Sequence, residues 1–446
     1  MIRICKNNFI LILICLLFLI TRLYKIDTIP SSVYWDEASI GYNAYSVLTT
    51  GKDEWGETLP LHFRAFGEFK LPVYIYSVLV SESAFGLTSF AVRLPSVVYG
   101  LLSIIGLYLV VFKLTKNKLI SLLSSYLFAI TPWFFIFSRT GYEAVAGLAF
   151  FIWALYFLLT KKIVISVLLF IISAYSYNSF RILTPLVLGP VLLFYLFKKV
   201  YAPVLISGVL IIMSLVPIYK LYKEDSGLAR LQSVGSKSGM VSNYVKNFSL
   251  EFLFIKGDTN PRSQIPNTGQ LYYVDILFLI LGILYILKSK DLKLYSVLAL
   301  LLLSVIPAAI TKENPHALRA ILMSPILSMI SALGIYYFAK SNKFLLWGII
   351  GIYMIFFANY FSKFVTSYND LSKSSWQYQY KEVFENQKEG CVSDQYAQPY
   401  IFGLYYNKVD PKEFIKTREL NPVSDWGFST VKSFGNYTFP KLCQTK

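Results

Sequence analysis

The chain predicts an all-α polytopic membrane protein carrying a small α/β domain at its C-terminal end. Three observations lead there. Hydrophobic residues make up 55% of the 446 residues against 15% charged, and the mean hydropathy is +0.53, values of a multi-span membrane protein. Apolar runs long enough to cross a hydrocarbon layer of roughly 30 Å recur along most of the chain. The 42 Lys and Arg residues fall mainly between those runs. The net charge of +17 therefore reads as membrane topology and contact with anionic lipid phosphate, and excludes a DNA-binding face.

The first run, residues 9–20, follows Arg3 and Lys6. The stretch after it, TRLYKID, has no small-residue cleavage site, so the run reads as a retained span and not a signal peptide. Cys5 and Cys15 beside it read as small apolar filler. Lys/Arg-rich loops at Lys113–Lys118, Lys161-Lys162, Lys198-Lys199, Lys288–Lys293 and Lys340–Lys343 mark the cytoplasmic side. About eleven spans result, at 8–24, 91–112, 119–137, 143–160, 163–177, 182–198, 201–219, 271–288, 293–310, 318–338 and 343–364, with the N-terminus inside and the C-terminus outside. Residues 72–87 are apolar but short and contain Glu82; counting them as a crossing would invert every later loop, so they read as a helix at the outer interface.

The domain plan is a transmembrane domain over 1–365, with a large external loop at 25–90, and a small external domain over 366–446. Within the latter, Gln398–Asp410 reads as aromatic-rich strands and turns. Cys391 and Cys443 lie in this tail and are open to pairing on an oxidising side. The external side collects the charged turns: the first loop, Ser138–Glu143, Tyr175–Arg181, residues 220–270 and Thr311–Arg319. Irregular backbone persists near a membrane only where protein or a watery cavity satisfies it, so one shared cavity is expected.

Trp35-Asp36-Glu37 carries the chemistry of the first loop, because two adjacent carboxylates beside lipid are costly unless they bind, pair or react. A carboxylate within reach of a hydroxyl serves as general base, and a neighbouring acid orients it or shares a metal. Asp36 as a helix N-cap is the plain alternative. Lys70, in the second charged cluster Glu68-Phe69-Lys70, reads as a phosphate contact or as a lysine snorkelling to headgroups. Arg139 and Glu143 stand four apart and predict an ordinary ion pair. Arg181 and Arg319 head spans, where a bidentate phosphate contact competes with helix anchoring. Lys70, Arg181 and Arg319 converging on a departing phosphate is the expectation. The turn Gly257–Arg262 has an Asx-type pattern, and its Asp258, Asn260 and Arg262 are candidates for sugar hydroxyls, with Tyr177 and His316 on neighbouring turns. A divalent metal is a candidate cofactor, with Asp36, Glu68 and His316 as candidate ligands.

The sequence has no Walker motif, no Gly-rich dinucleotide fingerprint and no HExxH. An external active site has no access to cytosolic nucleotide-sugars or ATP, so a transfer reaction there needs a substrate activated beforehand. A polyprenyl-phosphate sugar meets that need, its phosphate being the leaving group.

Tyr34–Ala38, Phe66–Pro72, Ala91–Ser96, Ser138-Arg139 with Glu143, Tyr175–Tyr177, Gly257–Asn260 and Pro315–Arg319 together resemble the bacterial glycosyltransferase family 39 of the GT-C superfamily. That group contains protein O-mannosyltransferases and lipid A aminoarabinose transferases. The resemblance covers most of residues 20–330. It implies a GT-C fold, a polyprenyl-phosphate-linked donor, an inverting transfer and Asp36 as the essential acid. It also implies a lipid-phosphate contact for Lys70, and Glu143 as a second-loop acid. Leu71 replaces the first of the family's two prolines. Glu68 lies one position before the place of the metal-binding glutamate of aminoarabinose transferases, and the His-Pro-Pro pattern of protein mannosyltransferases is missing.

The function expected is an integral membrane glycosyltransferase using a lipid-phosphate sugar. Asp36 would be the base, Glu37 and Glu143 its orienting acids, and Lys70, Arg181 and Arg319 the phosphate contacts. The acceptor is a lipid, glycan or protein. The competing class is a transporter or flippase of lipid-linked sugars, for which midplane charges on broken helices and an inverted repeat are the signature.

Overall fold

The computed structural model describes residues 9–66, 68–223, 235, 239–396, 398–423 and 429–443. Cys5, Gly67 and most of the stretch 224–238 in the long fourth loop lie outside the described residues.

Each of the eleven predicted spans is met by a helix: Phe9–Leu23, Ser89–Thr115, Lys118–Ile130, Glu143–Leu159, Ile163–Ala174, Asn178–Phe197, Tyr201–Tyr222, Asp275–Ser289, Leu292–Ser304, Met323–Ala339 and Lys343–Ser372. Among the described residues five helices are long and apolar enough to cross a bilayer. A sixth qualifies when Lys118–Ile130 is joined to Pro132–Arg139 across a 64° bend. The bend falls at Pro132, whose ring cannot continue the preceding helix but suits the first position of a new one. The polar residues of the Lys-rich loops have a local task as well. Side chains of Asn117, Asp291 and Asn342 accept backbone N–H groups at the starts of the helices that follow them. Helices Asp275–Ser289 and Met323–Ala339 pack closely because Gly282 and Gly334 face the partner backbone, where a Cβ would collide with Ile330 and Phe278.

The first loop folds as helix Trp35–Thr50, a two-stranded ribbon of Phe63–Arg64 and Phe69–Lys70, and helix Pro72–Phe85. The ribbon is antiparallel, with Phe63 opposite Lys70 and Arg64 opposite Phe69. Side chains alternate along a strand, so Phe63 and Lys70 share one face and Arg64 and Phe69 the other. Phe63 and Lys70 are buried.

The C-terminal region differs from expectation in two places. The last long helix continues to Ser372, past the expected boundary at 365. Residues expected as strands form helix Pro399–Tyr406 instead. Pro399 sits at its first turn, and its aromatic and aliphatic side chains are nearly all buried, so packing overrides strand propensity. Helices Tyr378–Asn386 and Pro411–Thr417 and a four-stranded sheet complete the region; Gly390–Cys391 runs parallel to Tyr437–Thr438, and the other pairs are antiparallel. Cys391 and Cys443 are bonded.

This region does not own a separate core. Val33, Tyr42, Val47, Tyr74 and Val92 bury together with Tyr400, Ile401, Leu404 and Phe414. Tyr42 donates to Val409 O at 3.0 Å, and Trp35 N donates to Gln377 Oε1 at 3.0 Å. The C-terminal segment thus forms one wall of the first loop.

Candidate functional site

Asp36 is the second residue of helix Trp35–Thr50. The N-cap is Tyr34, with no side-chain capping bond, so Asp36 is not the cap that the sequence alone allows. It is turned instead to Lys70, whose Nζ donates to Asp36 Oδ1 at 2.5 Å. The lysine is 4% exposed and the aspartate 29%, so the pair is open on the carboxylate side. Burial alone would lift the Asp36 carboxyl, but the Lys70 ammonium, followed by the Arg262 guanidinium, holds it below its ordinary value. Burial likewise opposes the charge on Lys70, and the carboxylates of Asp36, Glu143 and Glu68 outweigh it, keeping the amine firmly protonated. Glu68 Oε1 lies 3.9 Å from Lys70 Nζ.

Glu37 faces the other way. It is fully buried, and both oxygens meet Arg93, with Nε at 3.1 Å and Nη2 at 3.0 Å. Its Oε1 also accepts Gly141 N at 2.6 Å. That approach needs glycine, because a Cβ at position 141 would press on Glu37 and Val92. Arg93 spends its remaining donors on the carbonyls of Ile26, Pro30 and Ser32. Glu37 therefore ties the start of the first loop, helix Ser89–Thr115 and the turn at Gly141 together, and positions its neighbour Asp36 without facing the opening itself.

Arg139 does not pair with Glu143 in the i,i+4 manner expected. It donates to the carbonyls of Thr21, Tyr24, Lys25 and Ile29. Arg22 beneath it donates to Ser138 Oγ and to the Ala129 carbonyl. Two buried arginines, Arg93 and Arg139, thus clamp the segment from the end of the first helix to Ser32 by its carbonyls, and Arg22 ties that helix end to Ser138 and Ala129. Arg93 was legible only as part of a motif; an arginine within an apolar run was the available signal of a buried partner.

The remaining predicted residues divide into two groups. Arg262 joins the Asp36 neighbourhood: its guanidinium lies 4.9 Å from the Tyr34 ring centroid and donates to the Ser375 carbonyl. Glu143 heads helix Glu143–Leu159 near enough to raise Lys70. Arg181 and Arg319, expected with Lys70 as phosphate contacts, have neighbours of their own. Arg181 meets His62 Nε2 at 3.1 Å, and Arg319 meets Thr311 Oγ1 at 3.0 Å and Glu313 at 3.4 Å. Lys70 and Arg262 are the cations acting on Asp36.

Asp258 and Asn260 shape their own turn. Asp258 accepts Asn260 N and Ala317 N, and Asn260 Oδ1 accepts Arg262 N. The Asx-type reading holds, and the two side chains fasten Gly257–Arg262 to the turn after Pro315, which sets Arg262 in place. Burial keeps the Asp258 carboxyl above its ordinary value. His316 lies 3.6 Å from Glu313 and 4.0 Å from Asp258. Tyr177 is buried at the head of helix Asn178–Phe197. For a divalent metal, Asp36 and Glu68 flank the Lys70 ammonium while His316 faces Glu313 and Asp258. Among the described residues no group of three or more His, Cys, Asp or Glu side chains is placed to hold a metal ion, so the candidate ligands as arranged do not fit one.

Residues 12–162 match the family model for dolichyl-phosphate-mannose-protein mannosyltransferases, a segment containing Asp36, Glu37, Lys70, Arg93 and Glu143. No curated protein sequence matches the chain. Among solved structures, ArnT from Cupriavidus metallidurans bound to undecaprenyl phosphate superposes with a TM-score of 0.59 at 10% identity, over 90% of this chain and 85% of that one. ArnT in the apo state gives 0.53 at 12%, over 73% and 59%. The apo oligosaccharyltransferase of Archaeoglobus fulgidus gives 0.52 at 14%, over 85% and 58%. The chain thus spans under two thirds of the length of those last two. The chain shares the GT-C fold of these membrane enzymes, with the several apolar helices of a multi-pass membrane protein.

Proposed function

We propose that this protein is a membrane glycosyltransferase that moves a sugar from a polyprenyl-phosphate carrier to an acceptor, with inversion, on the membrane face opposite its N-terminus. The observation that carries the reading is the Asp36–Lys70 pair, a half-open carboxylate bonded to a buried ammonium. In the free protein Lys70 holds Asp36 ionised but engages the oxygen that a base would use. The phosphodiester of an arriving donor competes for that ammonium with its single negative charge, and the phosphate gains a second charge as the sugar leaves. Asp36 is then released and becomes more basic, so acceptor deprotonation is available only when the donor is seated. Lys70 and Arg262 offset the charge gained by the departing phosphate, and attack from the opposite face passes through an oxocarbenium-like state.

Glu37 fixes the helix that carries Asp36, and Glu143 and Glu68 keep Lys70 charged. The bond between Cys391 and Cys443 accords with an oxidising, external location for the C-terminal region. The ArnT structure solved with undecaprenyl phosphate supports the choice of carrier. The test is to incubate the purified protein in lipid nanodiscs with a panel of polyprenyl-phosphate sugars and acceptor membranes. Sugar transfer with stoichiometric release of carrier phosphate is expected for one donor; ATP-independent movement of intact donor across the bilayer without sugar transfer would contradict the reading.

A further inference from the structure

The ribbon that presents Lys70 to Asp36 has a second face. Arg64 and Phe69 lie opposite each other on it and line a cavity of about 790 Å³, within the roughly 300–1,000 Å³ of small-molecule sites. Asp53, Trp55, Lys220 and Arg418 line it too, so its walls come from the first loop, the end of helix Tyr201–Tyr222 and the C-terminal region. None of the steps proposed above uses it.

The walls are built and not loosely solvated. Asp53 is 1% exposed. Its Oδ1 accepts Trp55 N and Glu57 N, both at 2.9 Å, while Oδ2 is buried with no hydrogen-bond partner among the described residues. The guanidinium carbons of Arg64 and Arg418 stand 4.0 and 4.9 Å from the Trp55 ring centroid, and Arg418 donates to the Glu54 carbonyl at 2.8 Å. A buried carboxylate oxygen lacking a donor and two guanidinium groups held in place thus share one cavity.

This combination selects its ligand. Asp53 and Glu57 stand against Arg64, Lys220 and Arg418 in one lining, so a ligand carrying either charge meets like charge on one wall. Hydroxyl groups donate and accept at once, so a hydroxyl-rich, uncharged ligand satisfies both. We infer that this cavity is a glycan-binding subsite, taking the neutral sugar residues of the acceptor on the far side of the ribbon from the reacting groups. The assignment rests on the transferase reading for the word acceptor, and on the cavity alone for the sugar.

The test uses full-length protein in nanodiscs and neutral trisaccharides of glucose, mannose and N-acetylglucosamine as probes, followed by saturation-transfer NMR and intrinsic fluorescence. Wild type is expected to bind at least one probe. Asp53→Asn, which keeps the turn-forming oxygen but places a donor where an acceptor is needed, should weaken that probe about tenfold or more, the loss of one charge-assisted bond. Arg418→Gln provides a second variant should the first misfold, with a loss of the same order. A polyprenyl-phosphate sugar should not displace the probe; displacement would overturn the acceptor assignment. Failure of every probe to bind, or equal binding by both folded variants, would overturn the subsite. A protein that binds a probe yet transfers no sugar leaves the subsite standing and removes the transferase reading. One that transfers sugar with an acceptor KM unmoved by Asp53→Asn does the opposite.

Discussion

Lys70 Nζ sits 2.5 Å from Asp36 Oδ1 although the two residues are thirty-four positions apart, with the lysine buried and the aspartate open. The ammonium keeps the carboxylate ionised and also occupies it. Lys70→Met removes both effects. The variant should fold, bind a polyprenyl phosphate at least tenfold more weakly, and show an Asp36 carboxyl that titrates higher. Carrier binding by microscale thermophoresis, wild type against variant, checks this; unchanged affinity contradicts the phosphate role.

Arg262 lowers the Asp36 carboxyl from outside that pair. Removing the cation raises the pKa, so the base needs a higher pH to be ionised. Arg262→Gln should therefore move the acid limb of the kcat/KM profile to higher pH, whereas Arg319→Gln should leave it in place, its partners being Thr311 and Glu313. A pH–rate profile of the three proteins decides.

Glu37 and Arg93 form a bidentate pair with neither side chain exposed to solvent. Removing one partner strands a buried charge at a cost of about 3–5 kcal/mol. Glu37→Gln and Arg93→Met should each lower the thermal midpoint sharply, and the double variant should lose less than the sum, since it leaves no unpaired charge and loses the carbonyl bonds of Arg93 only once. Additive losses in a double-mutant cycle would show that the two act separately.

Much of this architecture is legible in the amino-acid sequence. Charge between apolar runs placed eleven helices, because hydropathy and Lys/Arg position are local properties of a membrane chain. Asp36, Lys70 and Glu143 were legible as a set because each is a charge where lipid makes charge costly. Partners were not. Arg139 looks like a match for Glu143 by spacing, but irregular carbonyls at 21–29 hold it, and irregular backbone leaves no periodicity to read. Arg181 and Arg319 read as phosphate contacts by their position at span ends, while their neighbours in the fold, His62 and Thr311, carry no pattern. Pro399–Tyr406 reads as a strand by its aromatics; only the shared core with Tyr42 and Tyr74 makes it a helix.

Burial pushes the Glu54 carboxyl up to about 8, with Asp53 adding to it, and Glu82 up to about 9. An unfolded glutamate titrates near ~4.3. Between there and pH 8 the native state holds protons that the unfolded state releases, so stability falls as pH rises through that window. Glu54→Gln should flatten part of the decline, raising the midpoint at pH 8 relative to wild type and changing little near pH 4. Thermal melts across pH 4–9 test it, with Glu82 supplying the remaining slope.

The bond between Cys391 and Cys443 closes a separation of 52 residues, which by chain entropy limits the unfolded segment by about 4 kcal/mol. Reduction should expose two further thiols to maleimide and make residues 373–443 more sensitive to protease, with the transmembrane helices unaffected. Resistance equal to the oxidised form would show that the shared core with the first loop is sufficient.

The central claim is that Asp36 is the base. The direct measurement is the initial rate of sugar transfer from the preferred polyprenyl-phosphate donor by wild type and by Asp36→Asn, both shown to be folded by their thermal midpoints. The account predicts a rate lower by a factor of roughly 10²–10⁴ with carrier-phosphate binding retained. Transfer by Asp36→Asn at the wild-type rate would contradict it.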